Sequence, residues 1–303
     1  MEMSMHVEYL QAKVETPKLK EVPSQLPWSI RLVRLAYRSV GHLLPGLAAR
    51  VAYQLFTTPQ RRAKHKRSDE LLEKARLFEV MYVGRILKAY EWGTGDKVVL
   101  LVHGWESRGT ALRSFVPTLV ARGYRVVAFD GPAHGNSEGD RTNLSHFAGA
   151  IRAMINHIGG VHSIITHSFG GASTVFALSH KEPAIQIKRL VLIGVPSDLS
   201  KVLDYFMRSI KAPNAVRKRF FAIMESKINR PVEDTKVSAA YGQVDVEQAL
   251  IVHDEEDEVV PMRSAKAIAS GWPNSTLLVS KGLGHFRLVK NPKLVERVTN
   301  FID

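Results

Sequence analysis

The stretch THSFGG places Ser168 between a histidine and a phenylalanine, with Gly170 and Gly171 behind it and the β-branched run SIIT in front. A serine on a sharp strand-to-helix turn exposes its hydroxyl to an incoming carbonyl. The N–H of the next residue, Phe169, then opens the helix with the positive end of the helix dipole behind it. A serine capping a helix would occupy the same kind of sequence. The stretch alone therefore leaves nucleophile and cap both open. The pattern is G-x-S-x-G with one departure, Thr166 in the first glycine position.

A serine hydroxyl needs a base at neutral pH. His285, in KGLGHFRL, follows an apolar run and a glycine turn that lets a loop carry its imidazole over the end of a sheet. The imidazole in turn needs a carboxylate to fix its tautomer and stabilise the imidazolium. VHDEEDEVVP offers Asp254, Glu255, Glu256, Asp257 and Glu258, most of which read as a solvated loop. Asp257 is the choice, because D-x-V-V-P sets it at the inner bend just before a helix-starting proline. Asp254 is the fallback and Asp198 the third option. Upstream, LLVHGWESRG directs the Trp105 N–H toward the same oxygen as that of Phe169, unless it is a plain β-turn. Such a donor contributes about 3 kcal/mol to transition-state stabilisation.

These residues need strand ends to stand on. The runs at 97–104, 124–131, 161–168, 187–196 and 247–254 are short and apolar, and MYVGRILKAYEWG alternates as a strand or hairpin. Between them lie stretches of helical length at 109–122, 142–158, 170–181 and 261–270, with a closing helix at 291–302. That alternation predicts an α/β fold, a mostly parallel central sheet with helices on both faces. Ligands and catalytic groups gather outside the carboxyl ends of such strands, which is where Ser168, Trp105, Asp257 and His285 fall.

Two regions break the rhythm. Residues 197–244 read as a small helical cap insertion. There Leu203, Phe206, Met207, Phe220, Phe221, Ile223 and Met224 either line an apolar pocket or form the cap's own core. Residues 1–80 read as a basic, helical N-terminal extension, ahead of an α/β domain over 81–303 that carries the cap insertion. Apolar residues at helical spacing over 28–56 are split by Gly41 and the Pro45–Gly46 pair into two helices or a kinked one, and Ser68 is placed to cap a third.

The formal net charge is +13, and no Asp or Glu occurs from Val22 to Ser68, where Arg and Lys contribute nine positive charges. One reading packs the Leu/Val face of this segment on the core and leaves the arginines in water. A second lays residues 28–67 on an anionic membrane surface. No nucleic-acid recognition module is visible, so no nucleic-acid partner is expected. The chain has no cysteine, which excludes disulfides, thiolate metal sites and a cysteine nucleophile. The N-terminal residues lack the pattern of a secretory signal, and no apolar window is long enough to span a bilayer. The sequence reads as soluble and cytoplasmic, with peripheral membrane contact as the second reading.

From about Trp92 to Asp303 the chain resembles α/β-hydrolase fold proteins, through LLVHGW, FDGPAHGNSEG, THSFGG, VHDEEDEVVP and GLGHF. The resemblance implies acyl transfer by Ser168, His285 and Asp257, with an oxyanion hole from the Trp105 and Phe169 N–H groups and no metal or organic cofactor. In DGPAHGNS it implies structural roles for Asp130, His134, Gly135 and Ser137. The expected activity is hydrolysis of a small-molecule carboxylic ester, lipid-like in the carboxylesterase or lysophospholipase manner. The alternatives are a catalytically silent binding protein, or an acyltransferase or thioesterase using the same triad.

Overall fold

The computed structural model describes residues 6–10, 28–65, 69–179 and 184–303. The chain runs through β1 (His6–Tyr9), α1 (Trp28–Leu43), α2 (Pro45–Thr57) and the single-turn α3 (Glu70–Glu73). A hairpin of β2 (Arg76–Tyr82) and β3 (Arg85–Trp92) follows, then β4 (Val98–Val102). A 3-10 turn over Gly109–Phe115 leads into α4 (Val116–Ala121), β5 (Arg125–Phe129), α5 (Leu144–His157), β6 (Ser163–His167), α6 (Phe169–Leu178) and β7 (Gln186–Ile193). Next come α7 (Leu199–Ser209) and α8 (Asn214–Ile228). The chain closes with β8 (Asp245–Asp254), α9 (Arg263–Gly271), β9 (Ser275–Ser280), α10 (Gly284–Arg287) and α11 (Pro292–Ile302).

The described residues form two compact units, one from 1–14, 59–197 and 237–303, the other from 15–58 and 198–236. The first holds a nine-stranded sheet in the order β1-β9-β8-β7-β6-β4-β5-β3-β2. Every pairing from β1 through β9, β8, β7, β6 and β4 to β5 is parallel, while β5–β3 and β3–β2 are antiparallel. β4 and β6 are buried at every position. Strands covered on both faces can be apolar throughout, which is why VVLLV shows no alternation. The α/β architecture expected from the sequence is therefore the one present. One side of the core joins Leu101, Phe115, Ile165, Val191, Leu250 and Ile302 into a single cluster.

Within residues 1–80, expected as a helical extension, the described residues include the strand β1. It pairs with β9 in the register His6↔Thr276 to Tyr9↔Val279 and is fixed by a bidentate Glu8–Arg297 ion pair of 2.8 and 2.9 Å. The cap expected at Ser68 lies outside the described residues. Asp69 starts α3, accepting from the N–H groups of Leu71 and Leu72, and it also pairs with Arg113.

In the second unit α2 sits on α8 with its small side, Ala48, Ala49 and Ala52, all buried. Phe56 meets the rings of Phe206 and Phe220 at centroid distances of 5.0 and 5.8 Å. The close approach continues at Gly41, where a Cβ would stand 3.1 Å from the Pro213 ring. Leu203, Met207, Phe220 and Met224 are buried, and Phe221 and Ile223 half-buried. Of the two sequence readings of these residues, the structure has the first four as core. The Leu/Val side of α1 and α2, expected to pack inward, instead leaves Leu35, Leu43, Leu44, Leu47, Val51 and Leu55 exposed. The alanines pack because they allow closer helix contact. Among the described residues, no helix is long and apolar enough to cross a membrane.

Leu101 lies at the centre of the sheet's core, 1% exposed. Leu101→Ala is expected to cost about 2–5 kcal/mol through lost burial and the cavity left behind. A lowered midpoint in thermal or denaturant unfolding would register it.

Candidate active site

β6 ends at His167, and Ser168 turns the chain with φ 53° and ψ −124° before α6 begins. A left-handed φ costs a non-glycine residue about 1–3 kcal/mol, so the neighbours must hold it. The Ser168 N–H donates to the Ile193 carbonyl at 2.8 Å. Gly170 lets α6 lie directly on the end of β4, since a Cβ there would stand 2.3 Å from the His103 carbonyl oxygen. Thr166, the departure from the glycine pattern, is fully buried and donates its hydroxyl to the Val191 carbonyl at 2.8 Å. The room it needs comes from Gly171, whose Cβ would lie 2.9 Å from the Thr166 hydroxyl oxygen. Ser168 is the N-cap residue of α6 by position, yet its side chain makes no capping hydrogen bond. Ser168 is half-exposed, and its hydroxyl has no hydrogen-bond partner among the described residues.

His285, on α10 after β9, is buried, and its Nδ1 lies 2.7 Å from Asp257 Oδ2. The other carboxylate oxygen of Asp257 accepts the Val259 and Val260 N–H groups, each at 2.8 Å. With Nδ1–H donating to Asp257, the lone pair of Nε2 is left free to accept a proton. Asp254, the fallback acid, accepts from the Ser280 hydroxyl and the Leu283 and Glu256 N–H groups, so it ties the His285 loop to β8. Asp198, the third option, caps α7 through the Ser200 N–H. Glu255, Glu256 and Glu258 are exposed.

The HGW loop after β4 reaches the serine: a Cβ on Gly104 would stand 3.1 Å from Ser168 Cβ. The rings of Trp105 and Phe169 meet edge to face at 5.3 Å. The N–H of Trp105 has no acceptor among the described residues, and that of Phe169 is an unpaired donor at the first position of its helix. The loop is fixed from behind. His103 donates through Nδ1 to the Gly104 carbonyl and accepts the Gly131 N–H, while His134 accepts the Glu106 N–H. Asp130 accepts from the N–H groups of Gly109 and Asn136, from the Tyr90 hydroxyl and from His65. Gly135 packs on the Asp130 carboxylate, and the Ser137 hydroxyl donates to the Asp130 carbonyl.

A family model for the alpha/beta hydrolase family matches residues 99–298. The chain belongs to that family. It is 25% identical over 275 residues to the uncharacterized hydrolase YugF of Bacillus subtilis, covering 77% of this chain and 99% of the relative. With a non-heme haloperoxidase of Rhodococcus erythropolis the identity is 26% over 265 residues, covering 70% and 94%. An esterase structure from Pyrococcus furiosus superposes with a TM-score of 0.62 at 20% identity, covering 81% of this chain and 96% of that one, a likeness of fold.

Sequence reasoning did not single out three residues around this alpha/beta hydrolase site. Gly194, at the end of β7 with φ +60°, touches the pair: a Cβ would stand 3.2 Å from the His285 ring and 3.5 Å from Asp257 Oδ2. The Nε2–H of His167 donates to the His285 carbonyl at 3.0 Å. His253 donates from Nε2 to the Val260 carbonyl at 2.8 Å, while its Nδ1 is buried without a partner among the described residues. The only advance signal was position, since all three stand at or beside the ends of predicted strands. Among the described residues no group of three or more His, Asp or Glu is arranged to hold a metal ion.

Burial works against ionisation of Asp257, but the hydrogen bonds from His285, Val260 and Val259 outweigh it and hold the carboxyl below the usual carboxylate range. Burial first, and then the nearby His285, pushes His167 down to about 4, so it stays neutral beside the base. His134 is pushed down to about 3 by burial and by His103, and burial also lowers His103 and His253. These four histidines resist protonation in the folded chain, whereas an unfolded histidine titrates near ~6.5. Below that pH the unfolded state binds more protons, so stability rises with pH across the window and is lost as pH falls from ~6.5 toward 4. Melting temperature is therefore expected to drop between pH 7 and pH 4, and His167→Asn to flatten the slope. Thermal melts across that range check it, and parallel slopes in the two proteins would contradict it.

Proposed function

We propose that this alpha/beta hydrolase cleaves a carboxylic ester through an acyl-serine intermediate, with Ser168 as nucleophile, His285 as base and Asp257 as its acid partner. The observation that carries the reading is the 2.7 Å Asp257–His285 hydrogen bond at the same end of the sheet as a strained, uncapped Ser168. A serine held at φ 53° whose hydroxyl caps nothing costs stability without structural return. Active sites are where such strain is retained.

His285 Nε2 takes the proton of Ser168 as the hydroxyl oxygen attacks the ester carbonyl. The resulting oxyanion is stabilised by the N–H groups of Trp105 and Phe169. Asp257 stabilises the imidazolium, which then protonates the leaving alcohol as the C–O bond breaks. Water, activated by His285, releases the acid and restores the serine. Ser168 and His285 make no hydrogen bond to each other among the described residues; such bonds commonly tighten only once substrate is bound. Neutral His167, its ring centroid 4.6 Å from that of His285, adds no charge to oppose imidazolium formation. Val259 and Phe286, 55% and 66% exposed beside Asp257 and His285, support a small-molecule ester with an apolar acid or alcohol portion. The name of the Pyrococcus furiosus esterase accords with that substrate class.

Labelling with a fluorescent fluorophosphonate tests the reading. Wild type is expected to label, and Ser168→Ala and His285→Ala to abolish labelling while the melting temperature stays within a few degrees. Folded wild type that does not label would remove the nucleophile and leave the non-catalytic binding reading. With an ester substrate in hand, Asp257→Asn is expected to lower kcat by about 10^4-fold, because the imidazole is left in the wrong tautomer. Gly194→Ala displaces the His285 ring and is expected to cost about 10^2-fold in kcat, read against KM in steady-state assays.

A further inference from the structure

The second unit carries a surface that ester hydrolysis does not use. α2 is apolar on two sides. Ala48, Ala49 and Ala52 are buried on the side that meets α8. On the other side Leu47, Val51 and Leu55 recur at helical spacing, 54%, 41% and 37% exposed, and Leu43 and Leu44 extend the stripe through the α1–α2 turn at 80% and 54%. A helix on an aqueous surface ordinarily turns charged and polar residues outward, but α2 contains no acidic residue and a single charge, Arg50.

The charge flanking this stripe is of one sign and uncompensated. Arg38 and Arg50 are exposed, and neither has a carboxylate partner among the described residues. Arg219 on α8 lies 4.0 Å from the place a Gly46 Cβ would occupy, so a third cation borders the start of α2. Three of the unit's acids are occupied elsewhere. Asp198 accepts from the Ser200 N–H, Asp204 pairs with Arg217, and Glu225 accepts from the Val232 N–H. Residues 15–58 and 198–236 together contain fifteen Lys and Arg against seven Asp and Glu.

We propose that this stripe, Leu43, Leu44, Leu47, Val51 and Leu55, docks the protein on an anionic lipid bilayer, with α2 lying in the plane of the interface. The leucines and valine enter the boundary between headgroups and acyl chains, and Arg38, Arg50 and Arg219 meet the anionic headgroups. A second copy of this chain fits the surface less well, because it would bring the same uncompensated arginines face to face.

The test is sedimentation of the full chain with mixed phosphatidylcholine–phosphatidylserine vesicles and with phosphatidylcholine vesicles. Retention on the mixed vesicles is expected, falling with added salt and by about tenfold or more on the neutral ones. The triple variant Leu47→Ser, Val51→Ser, Leu55→Ser is expected to lose retention while keeping its circular dichroism and melting temperature, since all three side chains are exposed. Arg38→Gln and Arg50→Gln are each expected to weaken binding about fivefold. Four results would overturn the proposal: no retention of wild type, equal retention on neutral vesicles, retention untouched by the triple variant, or a solution dimer that the triple variant dissolves in a chain that ignores vesicles. Fluorophosphonate labelling of the same samples is independent of all four, so failure here and failure of the ester reading are told apart.

Discussion

The contact between α6 and the end of β4 is what the candidate site depends on. Gly170 brings the first turn of α6 against the His103 carbonyl, and no side chain of any size fits between them. That packing leaves Ser168 nowhere to go but the left-handed region, with its N–H already committed to the Ile193 carbonyl. The strain of about 1–3 kcal/mol is small against the core that imposes it. A looser contact would let the turn relax, and the hydroxyl would become an ordinary helix cap. Thr166 is tolerated in this arrangement because Gly171 gives up the volume that the threonine takes.

The parallel sheet then sets the order of everything else. The donor loop follows β4, the serine follows β6, Gly194 follows β7, Asp257 follows β8 and His285 follows β9, and these five strands are consecutive neighbours. Adjacent strands stand about 4.8 Å apart, so β6 and β9 are separated by roughly three such spacings. The loops after β8 and β9 reach back along the sheet, joined to each other by the Asp257–His285 hydrogen bond and to the end of β6 by the contact of the His285 ring with His167. Asp254 ties the two loops together, accepting from the Ser280 hydroxyl and the Leu283 N–H across the gap. Gly194 sits against the Asp257–His285 pair, where a side chain would crowd both.

What the sequence made legible follows from the same physics. Fully buried strands such as VVLLV and SIITH are apolar throughout, and their alternation with helical stretches left little choice of fold. Ser168, Asp257, His285 and the HGW loop could be nominated from sequence because each belongs to a short local pattern at a strand end. Local patterns could not reveal pairings between distant segments. His167 meets the His285 carbonyl across 118 residues, and His65 meets Asp130 across 65, with nothing in either neighbourhood to announce it. Which of the two readings of the Leu/Val face of α2 holds could not be read from sequence for a related reason. Periodicity showed an apolar stripe, but which of two apolar sides packs is decided by how closely a partner helix can approach, and alanine allows the closer contact.

The edge strand β1 has a consequence for how the protein is made. His6–Tyr9 comes first among the described strands, yet its partner, Thr276–Val279, belongs to the last of them. At a synthesis rate of ~5–20 residues per second, the two are separated by tens of seconds on the ribosome. Throughout that interval β1 is an unpaired peptide awaiting a template, while the remainder of the sheet can assemble around β4 and its neighbours. Closing so long a loop costs more chain entropy than any hairpin in the molecule. The Glu8–Arg297 ion pair, which joins this first strand to the last helix, is therefore among the final contacts available to a nascent chain. Until it forms, the outer edge of β9 is open to any extended segment that meets it.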